Sequence, residues 1–166
     1  MFRTRQDFLL LTRALYHSID KNWEELGRKY GITPAQQHIL FIVETIGEPM
    51  TVSQISEMGC WHVSSTSRIL RQLEKSKLIE VTYDRTKSKN KYVTLTLAGK
   101  KVLGNLVKYV NQNEDFPLDI SKIDSEELAI FLKVSFQLLK QNEKEQVVNW
   151  IHSARVTGGQ YEQIPK

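Results

Sequence analysis

The hydrophobic periodicity of the chain changes after Lys75, and this change restricts the folds that the chain can adopt. Over residues 64–75, apolar side chains recur at steps of three and four, which is typical of an amphipathic helix. Over residues 79–83 and 92–96, apolar and polar side chains alternate instead, which predicts two β-strands. The segment between these strands, residues 84–91, is polar and basic. The central unit is therefore predicted to be a helix followed by a two-stranded hairpin with a long basic tip.

Helices are predicted on the N-terminal side of this unit. Residues 3–29 carry apolar side chains at helical spacing and are expected to form one long amphipathic helix. Two capping-box patterns, Thr33 with Gln36 and Thr51 with Gln54, indicate the starts of two shorter helices. The second of these is joined to the helix of the central unit by a tight turn, which is typical of a helix-turn-helix.

Helices are also predicted on the C-terminal side. Residues 96–110 return to helical spacing, and the capping-box patterns Asp124 with Glu127 and Asn142 with Glu145 predict two further helices. The helix that follows Asp124 is apolar around most of its circumference, so several neighbours must cover it. We expect it to expose more apolar surface than one domain can easily bury.

The charge of the chain is concentrated in its middle third. The formal net charge of +4 is small, but residues 64–101 hold ten lysines and arginines against three acidic residues. The rest of the chain is slightly acidic. Such an asymmetry is expected where one face of a protein meets a polyanion. Nucleic acid is therefore the favoured partner.

Composition and the remaining motifs narrow the function classes. The longest apolar stretches are far shorter than the roughly 18 residues that span a bilayer. Because Cys60 is the only cysteine, no intrachain disulfide can form, and the N-terminus lacks the apolar block of a secretory signal, so we expect a cytoplasmic protein. The sequence has no glycine-rich phosphate loop, nucleophile elbow or close Cys/His spacing. We therefore expect no enzymatic activity, no cofactor and no metal site.

Polar and basic side chains are predicted to face outward from the helix and from the hairpin tip. Arginine suits the O6/N7 edge of guanine, glutamine suits the N6/N7 edge of adenine, and serine most often holds a phosphate. On an isolated helix such residues would be read as a solvated face, but the hairpin and the charge asymmetry favour contact with double-stranded DNA. The expected DNA-binding residues are Ser64, Ser65, Ser67, Arg68, Arg71 and Gln72 of the helix and Arg85, Lys87, Lys89 and Lys91 of the tip.

These motifs resemble those of the multiple-antibiotic-resistance regulator (MarR) family of bacterial winged-helix transcription factors. The resemblance rests on residues 64–75, on Leu78-Ile79, and on residues 92–96 with Gly99, and it extends from about residue 14 to residue 103. It is closest to the branch of Bacillus regulators of protease production and sporulation. The resemblance implies a homodimer built from the N- and C-terminal helices, a near-palindromic operator and a role as a repressor.

The elements and the resemblance together predict a mostly α (α+β) fold. We assign residues 33–96 to a winged helix-turn-helix that binds DNA. Residues 1–32 and 97–156 are expected to form the helical dimerisation region, and residues 157–166 a flexible tail.

The hairpin tip departs from the pattern that the resemblance implies. The family usually has an aspartate and an arginine in this loop, whereas residues 87–90 here read Lys-Ser-Lys-Asn. Lys89 takes the place of the arginine that enters the minor groove, and the acid that would orient it is absent. Lysine lacks the planar guanidinium fork, so we expect the tip to act mainly through charge.

Three alternatives remain open on the sequence. A winged helix can serve as a protein-interaction module, because fold does not dictate function. Cys60, beside the turn before residues 64–75, invites a redox-sensor role, although a lone cysteine is more often a small buried hydrophobic residue. A small-molecule effector is the third alternative, because many MarR relatives bind phenolic ligands between their two layers.

His62, which lies just before residues 64–75, is expected to contact a phosphate or the turn.

Overall fold

The computed structural model describes residues 2–83 and 91–156, and its elements confirm the mostly helical fold class. The predicted tail, residues 157–166, lies outside these ranges. The elements in chain order are α1 (Phe2–Arg28), α2 (Pro34–Ile46), β1 (Met50–Thr51), α3 (Val52–Met58), α4 (Val63–Lys75), β2 (Ile79–Tyr83), β3 (Lys91–Leu95), α5 (Leu97–Gln112), α6 (Ser125–Asn142) and α7 (Glu145–Ser153). Within the described residues, none of the helices has the length and apolar character needed to cross a membrane.

Both N-terminal capping boxes are present. At the start of α2, the Thr33 hydroxyl accepts from the Gln36 backbone N–H (3.3 Å), and the Gln36 Oε1 accepts from the Thr33 backbone N–H (2.9 Å). Thr51 and Gln54 repeat this exchange at the start of α3. Each box satisfies amide groups that a helix start would otherwise leave unpaired, which confirms the two predicted helix starts.

Of the two capping boxes predicted near the C-terminus, only the N-cap residue of the first is correct. Asp124 is the N-cap of α6, but its carboxylate accepts from the backbone N–H of Glu126. Asn142 is wrong as a cap, because it is the last residue of α6 and its Nδ2 donates to the Leu138 carbonyl. The N-cap of α7 is Lys144, which makes no side-chain capping bond.

The sheet has three antiparallel strands in the order β1-β3-β2, one more than the two predicted. The hairpin itself is present, with Ile79 opposite Leu95 and Val81 opposite Val93. The additional strand, β1, pairs Met50 with Val93 along the other edge of β3. A strand of two residues is too short to show alternation, so the sequence contains no periodic signal for it.

One apolar core joins the winged helix-turn-helix to the flanking helices. Its centre is formed by residues of α2, α3, α4 and β3 that have almost no solvent exposure. Leu26 of α1, Leu103 and Leu106 of α5 and Trp150 of α7 are buried in the same cluster. The fully buried residues at its centre include Ile39, Leu40, Ile42, Ile55, Leu73 and Val93.

Helix α7 packs against α2 and α3. The Trp150 Nε1 donates to the Thr45 hydroxyl of α2 (2.9 Å). Near the end of α3, the Glu57 carboxylate pairs with the Lys144 ammonium at 2.8 Å and accepts from the Gln146 side-chain amide. The hydrogen bond from Lys144 is the main cause that lowers the pKa of the Glu57 carboxyl. Helix α7 is therefore held against α3, the helix that precedes the turn into α4.

Candidate nucleic-acid interface

Helix α4 has one buried and one exposed side. Thr66, Leu70 and Leu73 are buried in the core. The opposite side carries most of the predicted DNA-binding side chains, and the structure brings them together on one surface. Those that are exposed are Ser64, Ser65, Arg68, Arg71 and Gln72, whereas Ser67 is half-buried.

The start of α4 is set by His62. The His62 Nδ1 accepts from the Ser64 backbone N–H (3.3 Å) and lies 2.7 Å from the Ser64 hydroxyl. This contact makes His62 the N-cap, so α4 begins at Val63, one residue earlier than predicted. Of the two roles expected for His62, the described residues show the turn contact.

Besides Ser64, which contacts His62, three of the predicted reading residues have partners within the protein. The Ser67 hydroxyl donates to the Val63 carbonyl (2.9 Å), and the Arg71 Nε donates to the Ser67 carbonyl (3.3 Å). The Gln72 Oε1 accepts from the Gln36 Nε2 (3.3 Å). Ser67 is the weakest candidate for DNA contact, because it is half-buried and its hydroxyl proton is already used.

The predicted hairpin tip is only partly within the described residues. Arg85, Lys87 and Lys89 lie outside them. Lys91 is not part of the loop. It is the first residue of β3, and it pairs with Tyr83 of β2. Its ammonium lies 5.4 Å from the centre of the exposed Tyr83 ring. Strands β2 and β3 therefore lie beside α4, and the basic segment connects them.

Thr96 and Gly99 fix the corner between α4, the sheet and α5. The Thr96 hydroxyl donates to the Lys77 carbonyl (2.7 Å) and accepts from the Gly99 backbone N–H (3.1 Å). The Thr96 backbone N–H donates to the Leu78 carbonyl (3.1 Å). Thr96 therefore caps α5 and also binds the segment that leaves α4, which gives the Thr-x-x-Gly pattern of the sequence a structural reason.

Cys60 is exposed, so the expectation of a buried cysteine is wrong. It lies in the turn before α4 with a positive φ of 53°. Partial burial of the sulfur, followed by the nearby Glu143, raises the pKa of the Cys60 thiol. A raised pKa keeps the thiol protonated at neutral pH and lowers its reactivity, because the thiolate is the reactive form.

A cavity of about 570 Å³ lies between α1, α2, α5 and the turn before α4. Aromatic side chains form much of its wall, including Trp23, Phe41 and Trp61. His38 also lines the cavity and makes an edge contact with the Trp61 ring. The His38 side chain is partly open to solvent, but the surrounding protein desolvates the imidazole, and this desolvation lowers the pKa of His38. Sequence reasoning missed this cavity, because its walls come from segments far apart in the chain.

Acidic, histidine and cysteine side chains do not cluster into a metal site within residues 2–83 and 91–156.

Comparison with known proteins identifies the central unit. Residues 32–89, which include α2 to β2, match the model of the MarR family. The central unit of the chain is therefore similar to the MarR family. This finding confirms the family resemblance inferred from the motifs of α4 and the hairpin.

Curated proteins similar to this chain are named as regulators. It is 29% identical over 98 residues to the HTH-type transcriptional regulator Hpr of Geobacillus thermodenitrificans, covering 59% of this chain and 48% of that one. It is 28% identical over 103 residues to the DNA-binding transcriptional repressor ScoC of Bacillus subtilis, covering 62% and 50%. The chain thus spans about half the length of the curated relatives it matches. The resemblance to the protease-production branch is confirmed by these two relatives.

Solved structures share the fold. The crystal structure of the S. aureus MepR–DNA complex matches with a TM-score of 0.72 and 21% identity, covering 81% of this chain and 96% of that one. At this identity the match shows a common fold, the MarR-type winged helix with flanking helices.

Proposed function

We propose that the protein is a sequence-specific DNA-binding transcriptional regulator that acts as a repressor. The observation that carries this proposal is the exposed face of α4, where Arg68 and Arg71 lie between serine and glutamine side chains, next to a hairpin that leads into a basic segment. An α-helix of this kind fits the major groove, and the hairpin tip reaches the phosphates or the minor groove. The names of Hpr and ScoC, and the DNA in the MepR complex, support the same function.

We further propose that the protein acts as a homodimer on a near-palindromic operator. In α6 none of the residues is buried, and Ile130 and Phe131 are 62% and 56% exposed. The N-terminal half of α1 likewise exposes Leu10 (67%). Apolar surface of this extent favours a partner, and a second copy brings two α4 helices to half-sites about 10 base pairs apart.

This proposal assigns a role to each region of the chain. Residues 33–96 form the DNA-binding unit, residues 1–32 and 97–156 the dimerisation region, and residues 157–166 a tail. Such a regulator works by binding and not by catalysis. It acts in the cytoplasm, because bacterial DNA is there.

The cavity is the proposed site of a small-molecule effector. Its aromatic wall, with Trp61 in the turn that precedes α4 and Trp23 in α1, suits a flat apolar ligand. A ligand held there touches both α1 and the turn, so it can change the position of α4. Calorimetric titration with simple phenols, followed by operator titration, tests this role; a bound phenol that leaves operator affinity unchanged contradicts it.

Selection of bound fragments from the source genome tests the main proposal. We expect a limited set of fragments with a shared near-palindromic sequence, and a gel-shift affinity that falls steeply with salt. Equal retention of all fragments, or no retention, would contradict the proposal. The second outcome favours the alternative of a protein-interaction module.

Replacing Arg68 by alanine is expected to weaken binding to the selected operator by about 1–3 kcal/mol, because the hydrogen bonds of one arginine to a base edge are removed. Binding to random DNA should change much less. Arg28→Ala is the control, since Arg28 is an exposed arginine at the end of α1 that pairs with Glu24 of its own helix. Parallel titrations of operator and random DNA measure both effects, and equal losses on the two DNAs refute base reading by Arg68.

Replacing Lys87 and Lys89 together by alanine is expected to weaken specific and random binding by similar factors. Both lysines lie outside the described residues, and this expectation rests on their charge. The slope of log K against log salt should flatten by about 2 for each hairpin, at roughly 0.9 for each phosphate that a lysine no longer neutralises, and by twice that for a dimer. A loss confined to operators with one flanking sequence, at an unchanged salt slope, means that the tip reads groove shape or bases.

A further inference from the structure

The side chain of Gln36 connects the start of α2 to the exposed face of α4. Gln36 is 7% exposed, and both ends of its amide are engaged. The Oε1 accepts from the Thr33 backbone N–H (2.9 Å), and the Nε2 donates to the Gln72 Oε1 (3.3 Å). A buried residue of the helix-turn-helix thus contacts a residue that is expected to reach DNA.

The capping box determines which end of each amide faces the other. A backbone N–H can only donate, so the oxygen of Gln36 must face Thr33. The Gln36 Nε2 is then the group that faces α4, and it can only donate. The Gln72 side chain must therefore accept this hydrogen bond with its Oε1. Its NH₂ group is then the end directed away from α2. The capping box therefore removes the freedom of the Gln72 amide to turn over.

We propose that Gln36 is a positioning residue that presents Gln72 to the major groove as a hydrogen-bond donor. Guanine offers two adjacent acceptors, N7 and O6, whereas adenine offers one acceptor next to the N6 donor. The base that Gln72 favours is therefore guanine, and not the adenine that glutamine alone would suggest. This inference rests on the proposed DNA-binding function and adds a base preference to it.

Gln36→Glu is the variant that tests the inference. A glutamate keeps the capping box, in which glutamate is a common partner, because one oxygen still accepts from the Thr33 N–H. The other oxygen can only accept, so the Gln72 amide must turn over and direct its oxygen to the groove. We expect the preference at the base pair read by Gln72 to move from guanine toward adenine by about tenfold, within the range for one base contact.

Gln54→Glu is the matched control. Gln54 is the same residue in the capping box of α3, and within residues 2–83 and 91–156 its side chain bonds to Thr51 of that box alone. The same substitution there should leave the base preference unchanged. A second variant, Gln36→Met, fills a similar volume without donating or accepting, so it frees the Gln72 amide and should reduce the guanine preference without reversing it.

The measurement is affinity for operators that carry each base at the position where Gln72→Ala loses discrimination. Thermal unfolding and random-DNA affinity of each variant show that the fold and the charge contacts are intact. A guanine preference that persists in Gln36→Glu and Gln36→Met overturns the inference and leaves DNA binding in place, as does an adenine preference in the unsubstituted protein or the lack of any position that depends on Gln72. An unsubstituted protein that selects no operator overturns the proposed function, and this inference with it.

Discussion

Replacing Gly99 by alanine is expected to lower the free energy of unfolding by about 1–3 kcal/mol, the range typical of an overpacked core site. A Cβ added at Gly99 would overlap the Leu78 carbonyl oxygen and lie 3.0 Å from its carbon. This carbonyl is backbone, and it also accepts from the Thr96 N–H, so moving it breaks the bond that fixes the corner after α4. The helix propensity that alanine gains over glycine, about 1 kcal/mol, offsets only part of this cost.

Urea unfolding of Gly99→Ala measures this loss, with Ala98→Gly as the control. Ala98 is exposed in the same turn of α5, so its replacement changes helix propensity without changing packing and should cost about 1 kcal/mol. Equal or greater stability of Gly99→Ala would mean that the corner can move to accept a methyl group.

Replacing Phe131 by glutamate is expected to convert the proposed dimer into a monomer and to weaken operator binding by about a hundredfold. Phe131 is 56% exposed on α6 in the single chain, so the protomer should still fold, whereas a buried charge in a dimer interface is costly. A monomer loses the second half-site, and linking two binding events commonly adds a factor of about 100 or more to affinity.

Light scattering at micromolar concentration and operator titration check this prediction together. Lys133→Glu adds an acidic residue to the same helix at an exposed polar position and should leave the dimer intact. A Phe131→Glu protein that stays dimeric places the interface elsewhere. An unsubstituted protein that is a monomer with full operator affinity contradicts the dimer proposal itself.

Local patterns in the sequence predicted the local structure well. Thr33 with Gln36 and Thr51 with Gln54 are capping boxes, because both partners lie within one helical turn and little else competes for them. Asn142 fits the same pattern and is not a cap, because α6 continues through it and its amide bonds back to Leu138. A pattern of two residues indicates that a cap is possible, but the length of the preceding helix decides whether it forms.

Contacts between distant segments could not be predicted in this way. The exposed face of α4 follows from periodicity, but the bond from Gln36 to Gln72 joins residues 36 positions apart. The contact between Glu57 and Gln146 joins residues 89 positions apart. Periodicity shows which side of a helix is buried and not which neighbour buries it. For the same reason the sequence did not predict the cavity, whose lining comes from five separate segments of the chain.

The core shared by the winged helix and the flanking helices has a mechanical consequence. Because Leu26 and Leu106 are buried with Leu73 of α4, a shift of α1 or α5 is transmitted to α4 through close-packed side chains. In the proposed dimer, the interface formed by α1 and α6 of the two copies therefore sets the distance between the two α4 helices. The dimer then selects operators by the distance between their half-sites as well as by their bases. A ligand or substitution that changes the interface between the copies therefore changes the half-site spacing that the protein accepts.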